Sequence, residues 1–365
     1  MKEPIVQELL HSEVMRRLRH VDQHGISYYA DRHGTFTRFE HSVGVFHLLK
    51  MFERSLKEQI AGLLHDVSHT VFSHVGDYVF GQDVSESYQD GIHTWYMKQT
   101  GLDRIFKRYG YTAEDLYPER AEFAALERSI PDLCADRIEY NLHTAYAYGR
   151  LSLADVKDIV KDLRYENDTW YFIDQTSAKK LAQQSLYFTE NFWSHPKTVV
   201  VNIFAAIAIK RALELGTVSR DEVHFGRDIA VWSKLKSSED SVVRTYMRLV
   251  HDPQGHFAVV QEEVGAWDLY VPTKFRGVDP WVQINGKLQR LTSLDRDYFL
   301  AFMQLKKKMK KGLRFQFPQH SLNPHGHLLK SITAQEAFNA VSLGIVSFAE
   351  NFLGVVRPNE QKQTQ

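Results

Sequence analysis

From Phe39 to Phe52 the apolar residues Phe39, Val43, Phe46 and Leu49 recur at three and four positions, and Ile60, Leu64 and Val67 repeat the spacing in the next segment. That period keeps one face of an α-helix toward a core. With an earlier run from Ile5 to Leu18, it predicts helix after helix to about Gly149, with loops marked by Gly and Asp. Gly25 and Gly34 in "DQHGISYYADRHGTFTRFE" suggest a loop or short hairpin, and Asp83 to Asp90 reads as a polar loop. After Tyr148 the pattern changes. "RYENDTWYFI" sets Asn167-Asp168 between aromatic residues, which predicts a small hairpin, followed by helices from about Ser177 to Phe192 and Val199 to Leu215. Short alternating stretches between His256 and Leu291 ("HFAVV", "WDLYVP", "WVQING") read as strands. "TAQE" at Thr333 to Glu336 is a capping box that should start a last helix to about Phe352, and the polar tail from Arg357 reads as disordered. The expected architecture is mainly all-α. A helical bundle occupies 1–216, with its core motif region at 14–148, a smaller mixed α/β lobe occupies 217–356, and 357–365 form a tail.

Composition narrows the classes. The longest apolar stretch, "TVVVNIFAAIAI" from Thr198 to Ile209, is shorter than the roughly 18 residues of a membrane span and reads as a buried helix. The first residues show no secretory signal, so a cytoplasmic location is expected, with no membrane partner. Cys134 is the only cysteine, which excludes an internal disulfide and a Cys-rich zinc site. Any metal must use His and carboxylate. Lys+Arg and Asp+Glu are equal at 45 each, so no global field favours nucleic acid as a partner. The surplus is in histidine, 18 in 365 residues, which points to metal or proton chemistry.

Four positions concentrate that chemistry: His41 in "RFEHS", the pair His65-Asp66, and Asp136 in "DLCADRIEY". They come from three separate predicted helices. Two imidazoles and two carboxylates converging between helices fill part of a six-coordinate shell around a divalent ion and leave positions for water and phosphate. A metal there lowers the pKa of bound water, so hydroxide can attack phosphorus at neutral pH. Mn, Fe, Zn, Ni and Mg all suit such a donor set to different degrees. The dipeptide alone is weak, since His251-Asp252 repeats it in a turn before Pro253. Helical projection puts Asp132, Asp136, Glu139, Tyr140 and His143 on one side and Cys134, Ile138, Leu142 and Ala145 opposite. The alternative for that polar side is simple exposure to water.

The motifs "RFEHSVGVFHLL", "AGLLHDVSHTVFSH" and "DRIEY", with "RRLRHVDQHG" in register, resemble the HD-domain phosphohydrolases, and among them the deoxynucleoside triphosphate triphosphohydrolase branch. The resemblance runs from about Val14 to Tyr148. It implies an HD-domain helical bundle in which His41, His65, Asp66 and Asp136 hold one divalent metal. By the same resemblance His69 and His74 face phosphates, Asp77 orients a catalytic histidine, Arg38 contacts phosphate, Gln23 reads the sugar and Tyr140 lies beneath it. The implied partner is a nucleotide or similar phosphorylated small molecule, and a homodimer or higher homo-oligomer is implied as well. Two positions depart from the pattern. Where the family has a His-Glu pair whose histidine is the general acid, this chain has Gln89-Asp90, leaving His93, His69 or His74 for that role. Thr144 stands where the triphosphohydrolases carry an aspartate at the sugar.

The expected function is metal-dependent phosphohydrolysis, triphosphohydrolysis by preference. A phosphomonoesterase on the same fold and a nucleotide-binding regulator that has lost turnover are the alternatives. Elsewhere, "KKKMKK" at Lys306 to Lys311 precedes Gly312 and suits a helix C-terminus, where cations favour the helix dipole. Gly44, inside a predicted helix, reads as a point of close helix approach near the site.

Overall fold

The computed structural model describes residues 3–31, 35–80, 88–261 and 267–318. The helix expected from Thr333, the tail from Arg357, Gly34 and most of the polar stretch after Asp83 lie outside them. The first expected helix is two. α1 (Pro4–Leu10) ends at His11, and Ser12 accepts from Met15 N to start α2 (Glu13–Leu18), because a serine hydroxyl satisfies a free N–H best at an N-cap. Between Gly25 and Gly34 the chain forms a short helix, α3 (Ile26–Asp31), with a single bridge pairing Asp22 and Thr37 at its base.

Thr37 and Glu40 close a reciprocal capping box on α4 (Arg38–Met51), and Ser55 caps α5 (Leu56–Leu64). α6 (Val75–Phe80), α7 (Tyr88–Gln99) and α8 (Leu102–Arg108) follow. Gln89 and Asp90 therefore sit in the first turn of a helix and not in a loop. α9 (Ala135–Ala147) carries Asp136 one residue in. Asp132 precedes this helix and pairs with Arg290, so it does not belong to the polar face on which projection placed it. The opposite face is apolar as expected, with Ile138, Leu142 and Ala145 buried.

α10 (Leu153–Asp162) leads into the hairpin of β1 (Leu163–Glu166) and β2 (Thr169–Phe172). Asn167 and Asp168 both take positive φ, 45° and 55°, the backbone that a two-residue turn between twisted strands requires. α11 (Gln175–Phe188) ends in a single π turn at Thr189–Trp193. α12 (Pro196–Glu214) is apolar all round and buries residues from Val199 to Ala212, which is why it sits in the core. No single described helix is long and apolar enough to cross a membrane, although α11 with its π turn and α12, bent by 49°, meet the length and composition together.

α13 (Arg220–Phe225), α14 (Asp228–Lys236) and α15 (Ser241–His251) complete a second helical group. β3 (Ala258–Val260), β4 (Leu269–Val271), β5 (Trp281–Ile284) and β6 (Lys287–Arg290) come next, then α16 (Leu291–Leu294), α17 (Arg296–Lys310) and β7 (Leu313–Gln316). The lysine run occupies the C-terminal turn of α17. Among the described residues the chain is thus mainly helical with two small sheets, in the orders β1-β2-β5-β6 and β3-β7-β4. Position 216 falls in the turn between α12 and α13, yet packing crosses it. β2 pairs in parallel with β5, Tyr171 opposite Trp281, and α12 packs along α15.

Three apolar clusters lie around the site. One joins α1, α2, α5 and α8, a second joins α9, α11, α17 and β5, and the third is built on α12 and α15. At about 1.5–3 kcal/mol for each large buried side chain, these cores hold α4, α5 and α9 in fixed register, and the polar cluster stands where the three meet.

Candidate active site

His41 from α4, His65 at the C-cap of α5 and Asp136 from the first turn of α9 turn toward one point. His41 Nε2 lies 3.1 Å from His65 Nε2 and 3.0 Å from Asp136 Oδ1. Asp136 Oδ1 is 3.4 Å from His65 Nε2, and Asp66 Oδ2 is 3.6 Å from His41 Nε2. The far side of each ring is anchored. His65 Nδ1 bonds Gly62 O at 2.8 Å, and His41 Nδ1 bonds Glu139 Oε2. Such outer bonds fix the tautomer and aim the Nε2 lone pair. Glu139 also accepts from His143 Nδ1 at 2.8 Å. It fits because Gly44 faces it: a Cβ there would lie 2.8 Å from Glu139 Cγ and Cδ, and closer still to Oε1.

The charges in this cluster are strongly coupled. Burial opposes the imidazolium of His41, but the carboxylates of Glu139, Asp136 and Asp66 outweigh it and hold the ring up at about 10. His65 is also raised, burial being outweighed by Asp66 and Asp136. Asp66 is held well below its ordinary range, with burial overcome by Arg38, His65 and His69, and Asp136 is held down by both histidines. Metal binding to these nitrogens displaces their protons, so affinity rises with pH.

Arg38, 2% exposed, pairs with Asp66 Oδ2 at 2.6 Å and also donates to Ser73 Oγ at 2.9 Å and Gln23 O at 3.3 Å. Its charge is spent inward on the cluster. His69 Nε2 reaches Asp66 Oδ1 at 3.2 Å, and burial, then the Arg38 charge, lower its ring to about 3, so it is neutral. The loop between His65 and His74 holds Phe72 and Ser73 at φ 56° and 54°. Non-glycine residues there cost about 1–3 kcal/mol each unless surroundings enforce them. Here they do. Asp228 Oδ1 accepts from Phe72 N at 2.8 Å, Ser73 Oγ donates to Asp22 O at 2.6 Å, and Arg17 donates to the carbonyls of Val67 and His69.

His74 stands at the mouth, its ring 5.2 Å from that of His69, with Nδ1 3.3 Å from Asp77 Oδ2. Tyr88 N fixes the other Asp77 oxygen at 2.8 Å. The surrounding cleft wall lowers His74 although its side chain is 45% exposed, and Asp77 partly offsets this. His93 is elsewhere: 1% exposed, it bonds Ser68 Oγ at 2.9 Å, and Gln89 Oε1 accepts from the same hydroxyl at 2.9 Å. Burial, then the His65 charge, lower His93 to about 3, which leaves it neutral inside the wall. Tyr140 lies with its ring centroid 6.5 Å from His41 and edge-on to Trp193 at 5.2 Å. Gln23 presents a buried Oε1 with no hydrogen-bond partner among the described residues. Thr144 Oγ1 is 3.4 Å from His24 Nε2, and His24 is boxed by Phe36, Tyr148 and Phe192. His24, Glu139 and Ser68 were not singled out as site residues from sequence. Glu139 was recoverable, being three positions from Asp136 on one helix face.

The donor set fits a divalent cation. One ligand atom each from His41, His65 and Asp66 lie within 4.8 Å of one another, all buried, and Asp136 closes on both nitrogens. Mixed imidazole and carboxylate donors suit borderline and hard divalent ions. A helical bundle holding such a set among a buried arginine and neutral histidines defines a metal-dependent hydrolase of the phosphate-processing class.

Comparison with known proteins agrees. Residues 38–97 match the model of the HD domain. The chain is 30% identical over 318 residues to uncharacterized protein YdhJ of Bacillus subtilis, covering 85% of this chain and 93% of the other. It is 30% identical over 299 residues to metal-dependent phosphohydrolase cns2 of Cordyceps militaris, covering 79% and 83%. A shorter match, 29% over 134 residues, links it to the deoxynucleoside triphosphate triphosphohydrolase SAMHD1 of Bos taurus, covering 31% of this chain and 23% of that one. The fold is similar to a phosphohydrolase from Bacteroides thetaiotaomicron at TM-score 0.65 and 17% identity, covering 87% and 99%. The chain belongs to the HD-domain metal-dependent phosphohydrolases.

Proposed function

We propose that this enzyme hydrolyses a nucleotide, with triphosphohydrolysis of a (deoxy)nucleoside triphosphate as the preferred reaction, and that His41, His65, Asp66 and Asp136 hold its one divalent ion. The observation that carries the metal assignment is the convergence of both Nε2 atoms and Asp136 Oδ1 within 3.4 Å. A bound divalent ion supplies an acidified water and offsets charge on a phosphoryl oxygen. Around it, Arg38 holds Asp66 in its ionised, ligating form, and neutral His69, which donates its one N–H to Asp66 Oδ1, lines the phosphate side and steadies that carboxylate. His74, oriented by Asp77 and open to solvent, hands a proton to the leaving oxygen in place of the family histidine that Gln89 replaces. Tyr140 and Gln23, whose Oε1 has no hydrogen-bond partner among the described residues, are the groups assigned to a sugar. The match with SAMHD1 supports the triphosphate subtype, and the Thr144–His24 contact, where the branch has an aspartate, keeps a monoesterase as the second reading. A homo-oligomer completes the reading by resemblance, with a cytoplasmic location as the expected one.

The test is metal analysis of the purified protein, then hydrolysis of nucleoside tri- and monophosphates with Mn²⁺ or Mg²⁺, with Asp66→Ala as control. Tripolyphosphate as product selects the preferred subtype, and orthophosphate selects the monoesterase. Bound metal and nucleotide without turnover, reversed by Gln89→His, would instead identify a regulator. Metal-free protein without turnover would refute the proposal.

A further inference from the structure

An incoming polyphosphate needs cations beyond the inner arginine, because the charge of Arg38 is already paired with Asp66 and its other bonds go to Ser73 and Gln23 O. The connection between β4 and β5, residues 272–280, supplies others. It is pinned along its length. Ser194 Oγ donates to Lys274 O at 3.2 Å, Phe275 packs edge-on to Phe302 at 5.0 Å, Ser185 Oγ accepts from Val278 N at 3.1 Å, and Asp279 N donates to Pro131 O at 2.9 Å. Gly277 permits this seat, since a Cβ would press on Phe275 and lie 2.7 Å from Leu186. The anchor next to Ser194 is Trp193, whose ring meets Tyr140.

Lys274 and Arg276 flank the inward-packed Phe275. Arg276 is half-buried, and neither side chain has a hydrogen-bond or carboxylate partner among the described residues. The neighbouring arginines differ. Arg17 binds three carbonyls, Arg290 binds Asp132 and Asp279 O, and Arg137 binds Asp132 O. A half-exposed guanidinium with no acceptor among the described residues is available to an anion from outside, and exposed Lys274 beside it adds a second charge. Its charge reaches the site: Arg276 lowers both His74 and Tyr140 after burial has acted on each, and Lys274 shares a field with Arg276, Asp77 and Asp90.

We propose that Lys274 and Arg276 form an outer anion subsite at the Trp193–Tyr140 edge of the site, which binds the phosphates of the substrate beyond the one attacked. The substrate class this selects carries at least two phosphates in a chain, a nucleoside di- or triphosphate and not a monoester. The inference rests on the hydrolase reading for which phosphate is attacked, while the subsite itself can be tested by binding alone.

The experiment is calorimetric titration of the Mn²⁺-loaded full chain with inorganic tripolyphosphate and, separately, orthophosphate, in the wild type, Lys274→Gln, Arg276→Gln and Arg276→Lys. Thermal melting confirms that each variant is folded. Tripolyphosphate should bind the wild type at least tenfold tighter than orthophosphate. Arg276→Gln should lose about tenfold for tripolyphosphate and less than twofold for orthophosphate, Lys274→Gln should shift the same way, and Arg276→Lys should recover part. Equal losses for both ligands, or none for tripolyphosphate, overturn the subsite. If weakening is selective but the wild type turns over no phosphoester, the subsite stands and the hydrolase reading falls.

Discussion

Gly44→Ala should disable the metal site while leaving the fold intact. In an exposed helix the change would stabilise by about 1 kcal/mol. Here the new Cβ would lie 2.8 Å from Glu139 Cγ and Cδ, against an optimal carbon separation of about 3.5–4.0 Å. The side chain must therefore withdraw by about 1 Å. Its carboxylate currently bonds His41 Nδ1 and, at 2.8 Å, His143 Nδ1, and a retreat of about 1 Å takes the His143 bond beyond useful range and stretches the shorter His41 bond to the weak end of it. Loss of the partner behind a metal-bound histidine costs about 10–100-fold in metal affinity or activity. Affinity is read by competition with a chelating dye, and global stability by urea titration. The expected result is a 10–100-fold weaker metal with stability within about 1 kcal/mol of wild type. The double variant Gly44→Ala with Glu139→Asp, whose shorter acid leaves room, should recover part of the affinity. Unchanged affinity in Gly44→Ala would refute the link between this glycine and the aim of His41.

Further outcomes follow from other buried charges. Arg38→Met leaves Asp66 buried without its cation and should cost about 3–5 kcal/mol in urea unfolding at pH 7; a loss under about 1 kcal/mol contradicts the pairing. Asp228, fully buried, is pushed up to about 7 by burial. Its contribution to stability is complete below the ordinary aspartate range and declines as pH rises through 7, by up to about 1.4 kcal/mol per pH unit. Urea midpoints of the wild type should accordingly fall relative to Asp228→Asn between pH 4 and 7, and parallel profiles would refute this. Cys134 is 0% exposed, with its thiol raised well above its ordinary value by burial. A thiol reagent should label it only on unfolding, and rapid labelling of the native protein would contradict its burial.

Elements whose faces repeat were legible in the sequence. The apolar spacing of α4 and α5 and the two-sided pattern of α9 carry enough local information to locate His41, His65, Asp66 and Asp136, because a helix fixes side-chain direction from spacing alone. The break between α1 and α2 was missed because apolar residues continue across it, while Ser12 ends the run through a hydroxyl that periodicity does not weigh. The pairing of β2 with β5, more than 100 residues apart in sequence, leaves no local trace. Nor does the placing of Lys274 and Arg276, which depends on the anchors at Ser185, Ser194 and Pro131. His93 illustrates the reverse. Its spacing from Gln89 correctly gave one helix face, but that face meets Ser68 within the wall.

The strained loop between His65 and His74 owes its shape to groups far along the chain. Val71 N donates to Val223 O at 2.9 Å, Phe72 N to Asp228 at 2.8 Å, and Arg17 clamps Gly226 O together with the carbonyls of Val67 and His69. During synthesis, then, the stretch matching the HD domain leaves the ribosome long before the residues that set its loop. The nascent chain has its ligands early and its site late. A fragment ending before α14 would carry every proposed metal ligand and still lack the staple that keeps Phe72 and Ser73 in their unfavourable backbone, so the site is a product of the whole chain and not a portable module.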